Sequence, residues 1–225
     1  MMPYTLLVLL SYSIFIAAII ALARFRQMSR VFLPFILFII TGAVNEITST
    51  VVISQGISTS FNNNVYMLLE ALLLLWQFKR WGNYIACNTG FSALAISVML
   101  LWLLEIFYYG PFRDLVYFSL YYCFIIVLLS VLAISRLVVS YNRPMHKKPV
   151  FIICTAFLMY FMCRLLLDSS WYLGITISNT FQRAVFDIMA CINFFINLVY
   201  CMAILWIPTK QKYSESSQSH VYCSF

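Results

Sequence analysis

Apolar positions in this chain come in long unbroken runs parted by short polar stretches, not on one face of a surface helix. A bilayer core about 30 Å thick needs about 20 apolar residues per helix. Seven runs approach that length: 4–23, 31–54, 62–78, 86–108, 115–139, 150–173 and 184–207. Pro208 stops the last one, because proline cannot continue a helical hydrogen-bond ladder. A short Ser-rich tail, 208–225, follows it. The pattern predicts an all-α membrane protein, a seven-transmembrane-helix bundle with short loops and no soluble domain.

Lys and Arg set the expected orientation. One set of polar segments carries Arg24, Arg26, Arg30, Lys79, Arg80, Arg136, Arg143, Lys147, Lys148, Lys210 and Lys212. The other carries Arg113 and Arg183, and Arg164 lies within a span. The rich side is read as cytoplasmic, which places the C-terminus inside and, with an odd number of spans, the N-terminus outside. The first run has the length of a signal peptide, but no basic segment precedes it and its charges follow it. That order predicts a retained first span. Trp76, Trp81 and Trp206 fall near the expected inner interface, and Trp102 and Trp171 near the outer one.

Composition agrees. The chain is 64% hydrophobic and 9% charged, so a soluble fold would expose large apolar patches. The net charge of +7 sits in short clusters between spans, which argues against nucleic acid as a partner and for the lipid bilayer. The expected location is the cell (inner) membrane. Cys87, Cys123, Cys154, Cys163, Cys191, Cys201 and Cys223 form no CxxC, and His146 and His220 lie in polar segments. The cysteines read as small packing residues, and neither a metal site nor a cofactor is expected.

Ionisable groups inside spans are costly and therefore informative. Glu46 lies late in the second run with Asn45 beside it, and Glu70 lies early in the third. Arg164 sits near the middle of the sixth, with Asp168 one turn further out on the same face. Asp187 is early in the seventh, above Asn193 and Asn197 on one stripe. Tyr66, Glu70 and Gln77 share a stripe of the third. Apart from Arg164, the charges gather in the outer half, which predicts an outward-facing acidic site for ligand binding or proton relay. Four carboxylates, Glu46, Glu70, Asp168 and Asp187, face one buried base, so protons, a cation or a basic ligand must complete the balance. The rival reading makes the same residues interhelical glue, most readily Asn193 and Asn197. Glu105 reads as interfacial near Tyr108 and Tyr109, and Asp114 beside Arg113 as a solvated pair.

No lysine occurs in the seventh run, which leaves a retinal Schiff base unsupported. No histidine lies in any run, which disfavours zinc-dependent seven-span lipid amidases. Phosphate-loop, serine-nucleophile and selectivity-filter motifs are also missing. Gly56-Ile57-Ser58-Thr59-Ser60 before the third run and Gly174-Ile175-Thr176-Ile177-Ser178 before the seventh form a weak echo. It is compatible with two three-span repeats joined by the fourth span.

Three stretches carry a family resemblance: Asn45-Glu46, the segment from Asn62-Asn63-Asn64 through Tyr66 and Glu70 to Trp81-Gly82, and Leu205-Trp206-Ile207-Pro208 with the residues to Lys212. In these the chain resembles uncharacterised bacterial seven-span inner-membrane proteins. Genes of that family often stand beside histidine-kinase genes, so the resemblance implies a signalling role with a membrane histidine kinase or another signalling partner. Three classes fit the layout, in order: a sensor or receptor-like subunit for an unknown small ligand, a small proton-coupled transporter with a 3+1+3 helix arrangement, and an intramembrane lipid-modifying enzyme.

Overall fold

The structure is a computed structural model and describes residues 4–82, 88–140, 148–172 and 179–208. It is helical throughout, with no strand among the described residues. The helices are α1 (Tyr4–Ser11), α2 (Ile14–Arg24), α3 (Leu33–Ser54), α4 (Ser60–Arg80), α5 (Asn88–Tyr109), α6 (Val116–Ser140), α7 (Pro149–Tyr172) and α8 (Asn179–Trp206). A single 3-10 turn, Arg30–Phe32, leads into α3. Five segments are long and apolar enough to cross a membrane: Arg30–Ser54, Gly90–Tyr109, Val116–Val139, Pro149–Ser169 and Asp187–Trp206. The chain is therefore a multi-pass membrane protein. Hydrocarbon offers the backbone no hydrogen-bond partner, so such runs fold as helices that satisfy their own amides.

Two of the expected spans depart from that simple form. The first is split between α1 and α2, and its apolar helical stretch, Val8–Arg24, is shorter than the five. The break falls at Tyr12 and Ser13, where the bonds tighten to Ser13 N–H to Leu10 C=O (3.2 Å) and Phe15 N–H to Tyr12 C=O (3.0 Å). Ser11 Oγ also turns back to Val8 C=O at 3.0 Å, a local bond that competes with the regular ladder. The other is α4, longer than the 62–78 run and too polar to join the five. Its polar groups are covered by protein: Asn64, Glu70 and Gln77 are all buried.

Helix neighbours define the layout. Contacts run α2–α3, α3–α4, α4–α6, α6–α7, α7–α8 and back from α8 to α2, closing a ring. Helix α5 stands outside it, against α4 and α6, with Leu100, Leu103, Leu104 and Phe107 exposed. Inside the ring, aromatic side chains from four helices interlock edge to face. Phe35 of α3 meets Phe157 of α7 at 6.1 Å and Tyr200 of α8 at 5.5 Å, and Phe78 of α4 meets Phe157 at 6.2 Å.

Side-chain bonds show which helix ends lie together. Arg24, ending α2, donates to Ile204 C=O and Leu205 C=O near the end of α8, at 2.8 and 2.5 Å. Arg136, late in α6, donates to Gly82 C=O just past α4. Gln77, late in α4, accepts from Phe35 N–H at 2.8 Å and donates to Val31 C=O at 3.0 Å, completing the start of α3. One end of the bundle thus holds the C-termini of α2, α4, α6 and α8. Arg24, Arg26, Arg30, Lys79, Arg80, Arg136 and Lys148 all belong to this basic end, whereas Arg113 lies at the opposite end. There Glu105 of α5 accepts from Tyr117 N–H (3.1 Å) and Phe118 N–H (2.7 Å), capping the first turn of α6. Arginines at C-termini and a carboxylate at an N-terminus match the sign of the helix dipole. At α3's far end, Gly56 (φ 71°) closes the helix: Ile57 N–H reaches Val52 C=O at 3.1 Å and Gly56 N–H reaches Ile53 C=O at 2.9 Å.

Gln77→Leu strands a buried N–H and a carbonyl at once, and is expected to cost about 1–3 kcal/mol. Glu105→Ala removes a charged cap and is expected to cost about 1–2 kcal/mol. Unfolding of the purified protein in mixed micelles measures both. Stability equal to wild type for Gln77→Leu would show that the α3 end is completed some other way.

Candidate functional site

The polar groups within the ring meet above the aromatic layer, toward the end opposite the basic one. Helix α4 places Glu70 about 15 Å from its basic end, and α7 places Arg164 and Asp168 about 22 and 28 Å from Pro149. The spacing of Arg164 and Asp168 stacks them on one face of α7. Helix α6 supplies Ser119 and Tyr122 from its first two turns.

Arg164 is the hub. Its Nη1 lies 3.3 Å from Glu70 Oε2 and its Nε 3.8 Å from Asp168 Oδ2. The guanidinium also covers the Tyr122 ring, 5.4 Å from its centroid. Both Glu70 oxygens are engaged: Tyr122 Oη donates to Oε2 at 2.9 Å and Tyr66 Oη to Oε1 at 3.4 Å. Ser119 Oγ donates to Asp168 Oδ2 at 2.6 Å. Three helices, α4, α6 and α7, are therefore joined through one cation and two carboxylates. Tyr160 and Tyr200 lie within electrostatic reach of Tyr66 beside this group.

Exposure falls with depth. The Asp168 and Arg164 side chains are 21% and 18% exposed, and Glu70 only 1%. Below Glu70 the stack Tyr122–Phe161–Phe157, with ring centroids 5.9 and 6.2 Å apart, closes the bundle toward the basic end. The network is most exposed on its Asp168 side. Two carboxylates against one guanidinium leave one negative charge to be matched by a proton or a cation. Among the described residues no three His, Cys, Asp or Glu side chains are grouped to hold a metal ion.

The sequence reading grouped more residues than the structure brings together. Glu70, Arg164, Asp168 and Tyr66 do converge. Glu46 does not: it is half-buried beside Ser11 of α1. Asn45, though adjacent, faces α4, where its Oδ1 accepts from Asn62 Nδ2 at 2.7 Å. Asn197 is buried and donates to Ser13 Oγ at 2.8 Å, bracing the α1–α2 break against α8. Asn193 is half-buried, one turn from Asn197. Asp187 is half-buried at the start of the apolar part of α8. Gln77 lies on the Glu70 stripe but caps α3, because its turn of α4 is level with that helix's start.

Two members were missed, Ser119 and Tyr122. Their i, i+3 spacing near the start of the fifth apolar run was the available signal, diluted by the other tyrosines of that run. Asn64 is a further buried polar group; it ties the α5–α6 connection by donating to Pro111 C=O (3.0 Å) and Arg113 C=O (2.7 Å).

No protein-family model, no curated protein and no solved structure matches the chain significantly.

Arg164→Gln leaves two carboxylates facing each other and is expected to cost about 3 kcal/mol. Adding Glu70→Gln should restore about 1 kcal/mol or more, since groups in one network couple. Glu46→Gln should add independently. Equilibrium unfolding of Arg164→Gln, Arg164→Gln/Glu70→Gln, Glu46→Gln and Arg164→Gln/Glu46→Gln against wild type measures these energies; a strong Glu46–Arg164 coupling would contradict the separation of Glu46 from the network.

Proposed function

We propose that the protein is a seven-span inner-membrane sensor, a receptor-like subunit whose Glu70–Arg164–Asp168 network responds to a small ligand from outside the cytoplasm. The split α1–α2 segment and α4 complete the count of seven, α4 as a span lined by protein rather than lipid. The basic end then faces the cytoplasm, with Met1 outside and the 208–225 tail inside. A reporter fused after Phe225 is expected to read as cytoplasmic, and a tag before Met1 to be labelled from outside intact spheroplasts. The reverse pattern overturns the orientation.

The observation that carries the sensor reading is the joining of three helices at Arg164. A cationic ligand group, or a proton, arriving on the Asp168 side competes with the guanidinium and with the Ser119 hydroxyl for that carboxylate. Loss of the Ser119–Asp168 bond, along with the Arg164–Asp168 pair within α7, frees α7 to move against α6. A partner, of the histidine-kinase kind or another signalling class, reads the changed packing at the cytoplasmic end. The ligand shifts the equilibrium by its differential affinity for the two packings.

Cross-linking and purification from native membranes tests this. A membrane partner is expected to co-purify, and Asp168→Asn, which weakens the pair, to change the amount captured or the partner's activity. Wild-type and Asp168→Asn chains that both come out of native membranes alone would sink the sensor reading.

A transporter is the second reading, and the helix order favours it. With α5 outside, the ring matches α2–α3–α4 to α6–α7–α8, and the contacts α4–α6 and α8–α2 are equivalent joins. Such a 3+1+3 arrangement suits alternating access. Proteoliposome flux that Glu70→Gln abolishes would move the assignment from sensor to transporter.

A further inference from the structure

The arginines at the basic end do two kinds of work. Arg24 and Arg136 are bonded to backbone carbonyls at helix ends. Arg26, Arg30 and Arg80 instead line one cleft of about 410 Å³ between the α2–α3 connection and the end of α4. No ion pair of these three occurs among the described residues. The chain has seven acids, and the six within the described residues, Glu46, Glu70, Glu105, Asp114, Asp168 and Asp187, lie away from this end. Among the described residues three guanidinium groups thus line one cleft with no carboxylate beside them, which raises the potential there and favours an anion.

The walls narrow the class of anion. Buried Met28 and Ile36 form an apolar floor, and Ser29 offers a hydroxyl. Phe25 lies at the rim, 45% exposed, and continues the exposed apolar face of α2 through Leu22 and Ile19. Arg80 is held over the Trp76 ring, 5.7 Å from its centroid, which limits its swing away from the cleft. A charged head with an apolar tail lying along α2 meets both halves of this surface. Arginine forks match the oxygen geometry of phosphate, and basic pockets between spans hold anionic headgroups.

We propose that this cleft is a binding site for the phosphate group of an anionic phospholipid, held by Arg26, Arg30 and Arg80 with its acyl chain along α2. The site is separate from the Glu70–Arg164–Asp168 network and stands whether that network senses or transports.

The test uses the full chain, delipidated in mild detergent and titrated with phosphatidylglycerol or phosphatidylcholine under native mass spectrometry. Wild type is expected to prefer phosphatidylglycerol at least about tenfold. Arg26→Gln/Arg30→Gln/Arg80→Gln should bring the ratio close to one, and Arg113→Gln, at the other end, should leave it unchanged. If the triple variant fails to insert, Arg30→Gln and Arg80→Gln singly should each lower the preference several-fold in protein that melts like wild type. Millimolar inorganic phosphate is expected to leave the lipid bound. No preference in wild type, or a preference the arginine variants do not alter, overturns the site. Inorganic phosphate that displaces the lipid with the same arginine dependence makes the ligand a soluble phosphate and overturns the lipid assignment.

Discussion

Every helix end in hydrocarbon carries backbone groups that water cannot reach, and this bundle answers that constraint with side chains from neighbouring helices. Gln77 completes the start of α3, Glu105 the start of α6, and Arg24 the end of α8. Each bond joins two elements, so satisfying a helix end also sets the register of a helix pair. An unpaired backbone group at membrane depth costs several kcal/mol, more than a typical packing contact returns. The vertical alignment of the ring therefore depends on these few polar bonds. The aromatic layer and the Arg164 network lie at the heights that this alignment gives them.

The same constraint separates what was legible in the sequence from what was not. Long apolar runs read directly as helices, because in lipid length and apolarity are enough. The segregation of Lys and Arg to one end was equally direct, since alternate connections fall at the same end of an up-and-down bundle. The pairing of Arg164 with Asp168 followed from their spacing, and Glu70 from the cost of leaving an acid without company in a span. The duties of Gln77, Glu105 and Asn45 were not legible, and Asn197 was legible as interhelical glue but not in its partner Ser13. Each depends on which helix stands opposite and at what height, and a stripe on one helix carries neither. Gln77 and Glu70 share a stripe of α4 two turns apart, yet one meets a helix end and the other a guanidinium. Glu46 shows the opposite limit: it is next to Asn45 in sequence but meets α1, because successive residues on a helix point about 100° apart.

Interhelical polar bonds are glue in most membrane proteins, so the question is what distinguishes the Arg164 network from Asn197–Ser13 or Asn45–Asn62. The glue pairs are neutral, each with a matching donor and acceptor, and nothing further is required of them. The network at Arg164 is charged and, among the described residues, does not balance: two carboxylates share one guanidinium. A purely structural ion pair needs one acid. Glu70, at 1% exposure and bonded to Tyr122, already supplies it. Asp168 is the surplus partner: it is the more exposed, its contact with Arg164 is the longer at 3.8 Å, and among the described residues its other bond is to the Ser119 hydroxyl at 2.6 Å. A group held this loosely at the accessible edge of a buried cation is the part of the network that a proton or a cationic ligand can change. In the proposed sensor Glu70 is the fixed counter-charge that would keep Arg164 in place while its outer bond is exchanged.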